Sequence, residues 1–201
     1  MDIKQLDWNK MKGLIPAIVQ DGSTGRVLML GFMNEEALKE TLESRRVTFW
    51  SRSRKSLWTK GETSGNYLEL EEIRQDCDND TLLVVAAPQG PCCHRGTLSC
   101  FAGDDEFSGL EFLGYLERVI ARRKEEMPEG SYTSTLFAKG LPEMAKKVGE
   151  EAIEVVLSLG QEKQRSIEES ADLIYHLLVF LTEREVTLRE VTEELTNRHL
   201  Q

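Results

Sequence analysis

The first hundred residues alternate short apolar runs with clusters of turn formers. Leu14–Gln20 and Arg26–Phe32 flank Asp21-Gly22-Ser23-Thr24-Gly25, residues that favour tight turns, which predicts a hairpin. Asn34 is placed to cap a short helix over Glu35–Glu43. Concentrations of β-branched and aromatic residues predict strands at Val47–Trp50, Tyr67–Ile73 and Leu82–Ala87, the last broken by Pro88-Gln89-Gly90-Pro91. Beyond Gly103–Gly109 the period lengthens to that of helices. Leu110, Leu113, Leu116, Val119 and Ile120 form one helical stripe, ending near Pro128-Glu129-Gly130. A second helix is predicted from about Pro142 to Leu159 and a third from about Lys163 to Leu181. A fourth opens at Thr187-Leu188-Arg189-Glu190, a capping-box pattern, and should bury Leu188, Val191 and Leu195. The change of period divides the chain into a mostly β, α+β domain over residues 1–106 and an all-α domain over residues 107–201. There is no internal repeat and no low-complexity tract.

A length of 201 residues suits one large or two small domains, each able to bury a core. Thirty-five acidic against 25 basic residues give a net charge of -10, which argues against a duplex nucleic-acid partner, since phosphate neutralisation needs basic stripes. No run of about 18 apolar residues occurs, and Met1-Asp2-Ile3-Lys4 leads into no apolar signal core, so a cytoplasmic protein without a membrane partner is expected. In a reducing compartment the four cysteines read as metal ligands, catalysts or buried thiols before disulfides.

Three of those cysteines have suggestive spacing. Cys77 lies inside Asp76-Cys77-Asp78-Asn79-Asp80, and Cys93 and Cys100 bound Cys93-His94-Arg95-Gly96-Thr97-Leu98-Ser99-Cys100, a segment expected to be a loop ordered by its metal. Three thiolates suit a zinc ion that keeps one position for a reactive water. Cys92 adjoins Cys93, and two adjacent residues do not easily reach one tetrahedral ion together. In an extended stretch Asp76, Asp78 and Asp80 would project to one side and Cys77 to the other, so one segment could serve magnesium on carboxylates and zinc on sulfur. A helix-loop-helix calcium loop is excluded, because its sixth position would be Thr81 rather than glycine and its twelfth Ala87 rather than glutamate. An acidic turn with three reduced core cysteines fits the same spacing.

His94, beside a candidate ligand, is either a hydrogen-bonded structural residue or a base suited to take a proton from a metal-bound water. Ser51, Arg52, Ser53 and Arg54, with Lys60, Glu62, Thr63 and Ser64 beyond, are either a solvated basic loop or a phosphate-binding set of guanidinium and hydroxyl donors. Taken together, Trp50-Ser51-Arg52-Ser53-Arg54, Lys60-Gly61-Glu62-Thr63-Ser64-Gly65, Asp76-Cys77-Asp78-Asn79-Asp80 and Cys93-His94-x-Gly96-x-x-Ser99-Cys100-Phe101 resemble the phosphoribosyl-AMP cyclohydrolases of histidine biosynthesis. The resemblance implies zinc on Cys77, Cys93 and Cys100, magnesium on Asp76, Asp78 and Asp80, and a homodimer whose zinc sites draw ligands from both subunits. Cys92 is a departure, since the family usually has a small non-ligand residue there.

In the helical half, Glu151-x-x-Glu154 and Glu169-x-x-Asp172 each set two carboxylates on one helical face, and two such helices could gather four acids around magnesium and a polyphosphate. Asp172 precedes Leu173–Leu181, apolar nearly all round, so that helix should be buried and its carboxylate should need a cation or a strong partner. Gly130-Ser131-Tyr132-Thr133, Lys147-Val148-Gly149-Glu150-Glu151-Ala152-x-Glu154 and Glu169-x-Ala171-Asp172-Leu173-x-Tyr175-His176 resemble the phosphoribosyl-ATP pyrophosphohydrolases, an all-α nucleotide pyrophosphatase group. The two resemblances together imply a fused enzyme for two consecutive steps, in which pyrophosphate is released and the adenine ring is then opened. A housekeeping nucleotide pyrophosphatase with a zinc structural module, or a zinc-binding interaction module without turnover, are the other classes the residues allow.

Overall fold

The computed structural model describes residues 3–10, 12–101 and 109–199. The chain forms two compact units, Met1–Glu111 and Phe112–Gln201. The boundary expected between residues 106 and 107 lies outside the described residues.

The first unit is built on a four-stranded sheet. Strands β1 (Ile15–Asp21) and β2 (Val27–Met33) form the expected antiparallel hairpin, with a register shift between Val19 and Gln20. Strand β6 (Leu82–Pro88) runs parallel to β1 and antiparallel to β5 (Leu68–Gln75), giving the order β2-β1-β6-β5. Every second residue of β1 is buried, so Ile15, Ala17 and Val19 face a core completed by Leu28, Met33, Leu68, Leu82 and Val84. Helix α1 (Glu35–Ser44) starts where Asn34 Oδ1 accepts the Ala37 N–H at 2.8 Å, and it inserts Ala37 and Leu38 into that core. Thr41 Oγ1 accepts the Thr48 N–H at 2.9 Å and ties the helix to strand β3 (Thr48–Ser51).

A further strand, β4 (Ser56–Thr59), pairs with β3 around the basic turn 52–55 and extends a segment that the sequence presented as a loop. Phe49 of β3 is buried and lies over Gly31, where an added Cβ would come within 2.3 Å of the Phe49 ring. Only glycine lets the ring seat there.

The second unit comprises α2 (Glu111–Glu126), α3 (Tyr132–Lys139), α4 (Leu141–Leu157), α5 (Lys163–Glu183) and α6 (Leu188–His199). Four of these match expected helices. The addition is α3, capped by Ser131, whose Oγ accepts the Ser134 N–H at 3.3 Å, and ended at Gly140. The capping box of α6 forms as predicted: Glu190 accepts the Thr187 N–H at 2.7 Å and Thr187 Oγ1 accepts the Glu190 N–H at 3.2 Å.

The core of this unit is small, centred on Ile120, Leu136, Met144, Leu178 and Val179. Its size limits burial along every helix and corrects two expectations, those for α6 and α5. Of the α2 stripe only Ile120 is fully buried, and Leu110 precedes the helix and is 85 % exposed. Helix α6 buries no residue completely, and Leu195 is exposed. Helix α5 is buried on one face only, because α4 covers one side while Ile167, Ile174 and Leu177 meet solvent on another, next in character to Ile153, Val156 and Leu157 of α4. Among the described residues no helix is long and apolar enough to cross a membrane.

Candidate active sites

In the first unit Cys93, His94 and Cys100 line a cavity of about 440 Å³ whose other walls include Met29, Trp58, Lys60, Thr63, Ser64 and Asn66. The cysteine loop was expected to be ordered by metal, but hydrogen bonds already fix it. Ser99, buried, donates its hydroxyl to the Val27 carbonyl at 2.7 Å and accepts the Phe101 N–H, and the Cys100 N–H donates to the Leu28 carbonyl at 2.8 Å. Cys93 N–H to Thr97 and Gly96 N–H to Cys93 close the loop on itself. Cys93 and Cys100 line the same cavity, and the His94 Nδ1 is 3.8 Å from the Cys93 sulfur.

The adjacent cysteines differ sharply. Cys92 belongs to the hydrophobic core and burial pushes its thiol up to about 12, so it is protonated at neutral pH although it touches Cys100. Cys93 is half-buried, and the Arg95 backbone N–H beside its sulfur lowers it. Cys77 is exposed and is not among the residues lining the cavity. Within one chain, therefore, the structure brings two of the three expected sulfurs together.

Asp76, Asp78 and Asp80 do converge, but by a different route from the one expected. They lie in a tight turn between β5 and β6 rather than in an extended stretch, because Asp76 Oδ1 accepts the N–H groups of Asp80 and Thr81 and Asn79 takes a left-handed conformation (φ 63°). One carboxylate oxygen from each residue lies within 4.8 Å of the others. An all-oxygen set of this kind fits a hard divalent cation, and a thiol pair fits a softer one.

The expected phosphate set is divided. Lys60, nearly buried, and Thr63 and Ser64 line the cavity. Ser51, the last residue of β3, and Arg52, Ser53 and Arg54 of the β3–β4 turn do not line it. Arg52 lies over the Phe32 ring at 3.9 Å, and Arg54 pairs with Glu62, which also accepts the Thr59 N–H. Glu62 thus braces the hairpin. Gly61 (φ 93°) lets the chain pass Asn66, since a Cβ there would come within 2.5 Å of the Asn66 backbone. Trp58 and Asn66 enter the site without having been singled out by spacing, because β4 pairing with β3 delivers Trp58 and a hydrogen bond from the Asn66 amide to the Pro91 carbonyl holds Asn66 beside the cysteine loop.

In the second unit Glu151 and Glu169 are buried and, with exposed Asp172, place carboxylate oxygens within 4.8 Å of one another. Asp172 itself is not enclosed, contrary to the expectation from the apolar run that follows it. Glu154 is outside this trio, with its side chain 49 % exposed, since three residues advance a helix by about 300° and carry it to the flank of α4. It still touches Glu169, whose carboxyl is raised first by burial and then by a hydrogen bond with Glu154.

Basic groups surround these acids. Lys147 Nζ is 2.7 Å from Glu151, Arg165 pairs with both Glu154 and Glu169, and the buried His176 places Nε2 3.8 Å from Glu151. Burial lowers His176, which favours its neutral form. Tyr132 stacks on Tyr175, whose hydroxyl is 2.8 Å from Thr133 Oγ1, so the α3 motif is adjacent to the α5 motif. The roles of Lys147 and His176 were missed, although Lys147 and Glu151 have the i,i+4 spacing of an ion pair.

A sheet domain with a thiol-lined cavity and an acid turn, joined to a helical domain with a carboxylate trio, defines a two-headed hydrolase class. The family model for phosphoribosyl-AMP cyclohydrolase matches residues 29–102, and that for phosphoribosyl-ATP pyrophosphohydrolase matches residues 113–199. The chain is 52 % identical to the histidine biosynthesis bifunctional protein HisIE of Photobacterium profundum, over 98 % of each chain. It is 50 % identical to the protein of that name from Bacteroides thetaiotaomicron, over 97 % of this chain and 96 % of the relative, and 52 % identical to that of Escherichia coli K12, over 98 % and 96 %. The chain belongs to this family of bifunctional histidine-biosynthesis enzymes, with a cyclohydrolase and a pyrophosphohydrolase in one polypeptide.

Proposed function

We propose that the chain carries out both steps as a cytoplasmic homodimer, with ring opening assigned to residues 1–106 and pyrophosphate release to residues 107–201. In the helical domain water attacks phosphoribosyl-ATP, and phosphoribosyl-AMP and pyrophosphate leave. Glu151, Glu169 and Asp172, with Glu154 at their edge, would hold magnesium, which when bound offsets polyphosphate charge. Lys147, beside Glu151, adds a cation on the same face.

In the sheet domain the oxygen of water bonds to C6 of the N1-ribosylated adenine and the N1–C6 bond breaks. N1 gains a proton, and C6 becomes the carboxamide of the formimino aminoimidazole product. Cys93 and Cys100, with Cys77 from the partner subunit, would hold zinc, which when bound makes water nucleophilic at neutral pH. His94 takes the proton that water loses and can deliver it to N1. Lys60, Thr63 and Ser64 face the same cavity and bind a substrate phosphate. The basic turn Ser51–Arg54, braced by Glu62, would meet the second phosphoribosyl end. Asp76, Asp78 and Asp80 would hold magnesium.

The observation that carries this reading is the cavity in which the Cys93 and Cys100 thiols, with Cys92 behind them, and the His94 imidazole face a lysine and two hydroxyls. Cys77 lying outside that cavity, and the apolar residues exposed on α4 and α5, support the dimer. The test is conversion of phosphoribosyl-ATP by purified protein with zinc and magnesium, following pyrophosphate and the ultraviolet change of ring opening together. Release of pyrophosphate without ring opening would reject the assignment of the sheet domain.

A further inference from the structure

Lys10 takes no part in the chemistry above, yet its Nζ lies 2.5 Å from Asp78 Oδ2 and 2.6 Å from Asp80 Oδ2. The backbone builds this placement. Leu6 is buried in the sheet domain's core and anchors the N-terminal segment. The Asp7 N–H donates to the Asn79 carbonyl in the middle of the acid turn at 2.8 Å, and the Asp7 carboxylate accepts the Lys10 N–H at 3.0 Å. Meanwhile Asp76 is committed to the turn through the Asp80 and Thr81 N–H groups. The ammonium therefore bridges the two carboxylates that do least to hold the turn together.

We propose that Lys10 is an internal competitor for the Asp76-Asp78-Asp80 cation site and determines which cations enter it. The inference rests on the reading that this triad holds a divalent cation. Magnesium needs oxygens at about 2.0–2.1 Å in near-octahedral geometry, and a second positive charge bridging the same oxygens repels it. Lys10 must withdraw for the ion to bind. A monovalent ion gains little by displacing a group of equal charge, whereas a divalent ion, with twice the charge, gains more. Lys10 thus lowers affinity for every cation and reserves the site for divalent ones.

The test uses full-length, zinc-loaded protein with manganese as the probe, free manganese being read by electron paramagnetic resonance. The binding that Asp78→Asn removes is assigned to the triad. Lys10→Met should bind manganese there roughly 2- to 30-fold more tightly, the worth of two partly exposed ion pairs. Potassium should compete with manganese in Lys10→Met at concentrations that leave the wild type unaffected, Lys10→Arg should behave as wild type, and Lys12→Met, which removes the same charge nearby, should change nothing. Equal or weaker manganese binding in Lys10→Met overturns the inference while leaving the triad as a cation site. If Asp78→Asn removes no manganese, the triad reading fails and the inference fails with it.

Discussion

Cys92 and Cys93 are chain neighbours with opposite environments, one packed among apolar side chains and raised, the other beside a backbone N–H and lowered. Of the two, Cys93 is the one whose surroundings favour the thiolate, while burial disfavours it at Cys92. Cys93→Ala and Cys100→Ala should therefore each abolish stoichiometric zinc and ring opening together, while Cys92→Ala keeps both; metal analysis beside the ultraviolet assay decides, and the reverse pattern would reassign the ligand. His94→Asn should retain zinc and slow ring opening by about 100- to 10,000-fold, with pyrophosphate release unchanged. Unaltered ring opening at neutral pH would make His94 structural. The sequence made most of these residues legible because each acts within a short motif. Lys10 was not legible: it reaches Asp78 across 68 residues, and no local spacing encodes such a contact.

At the level of elements, the hairpin, the Asn34 cap and the capping box of α6 were readable, since each depends on residues within a few positions of one another. Strand β4 and helix α3 were not. Ser56–Thr59 has four residues, too few to establish a period, and the charge of the preceding turn masked it; Tyr132–Lys139 has a serine cap and a terminal glycine as its main signals. The extent of helix burial was misjudged because apolar pattern shows which faces avoid water without showing what covers them. Gly31 is the position where one atom decides packing between elements, as its backbone lies against the Phe49 ring. Gly31→Ala should cost about 1–3 kcal/mol in the sheet domain, from overpacking a filled core. Urea denaturation will measure it, and a cost near zero would show that Phe49 can relocate.

For the molecule as a whole, two compact units with separate acid clusters predict separable reactions. Glu151→Gln should lose pyrophosphate release yet open the ring of supplied phosphoribosyl-AMP at near the wild-type rate, and Cys100→Ala should accumulate phosphoribosyl-AMP. Mixing the two should restore both steps if the intermediate diffuses; loss of both activities in folded, zinc-loaded Glu151→Gln would refute the division. The separation of Cys77 from the cavity of Cys93 and Cys100 has a genetic reading. If each ring-opening centre spans two subunits, a Cys77→Ala allele and a Cys93→Ala allele, each dead alone, rescue one another in the same cell. In a mixed dimer one centre inherits both lesions and the other none, so random assortment of equal amounts returns about one quarter of wild-type ring opening. Two Cys77→Ala alleles return nothing, and so would any pairing of dead alleles if every centre were confined to a single chain.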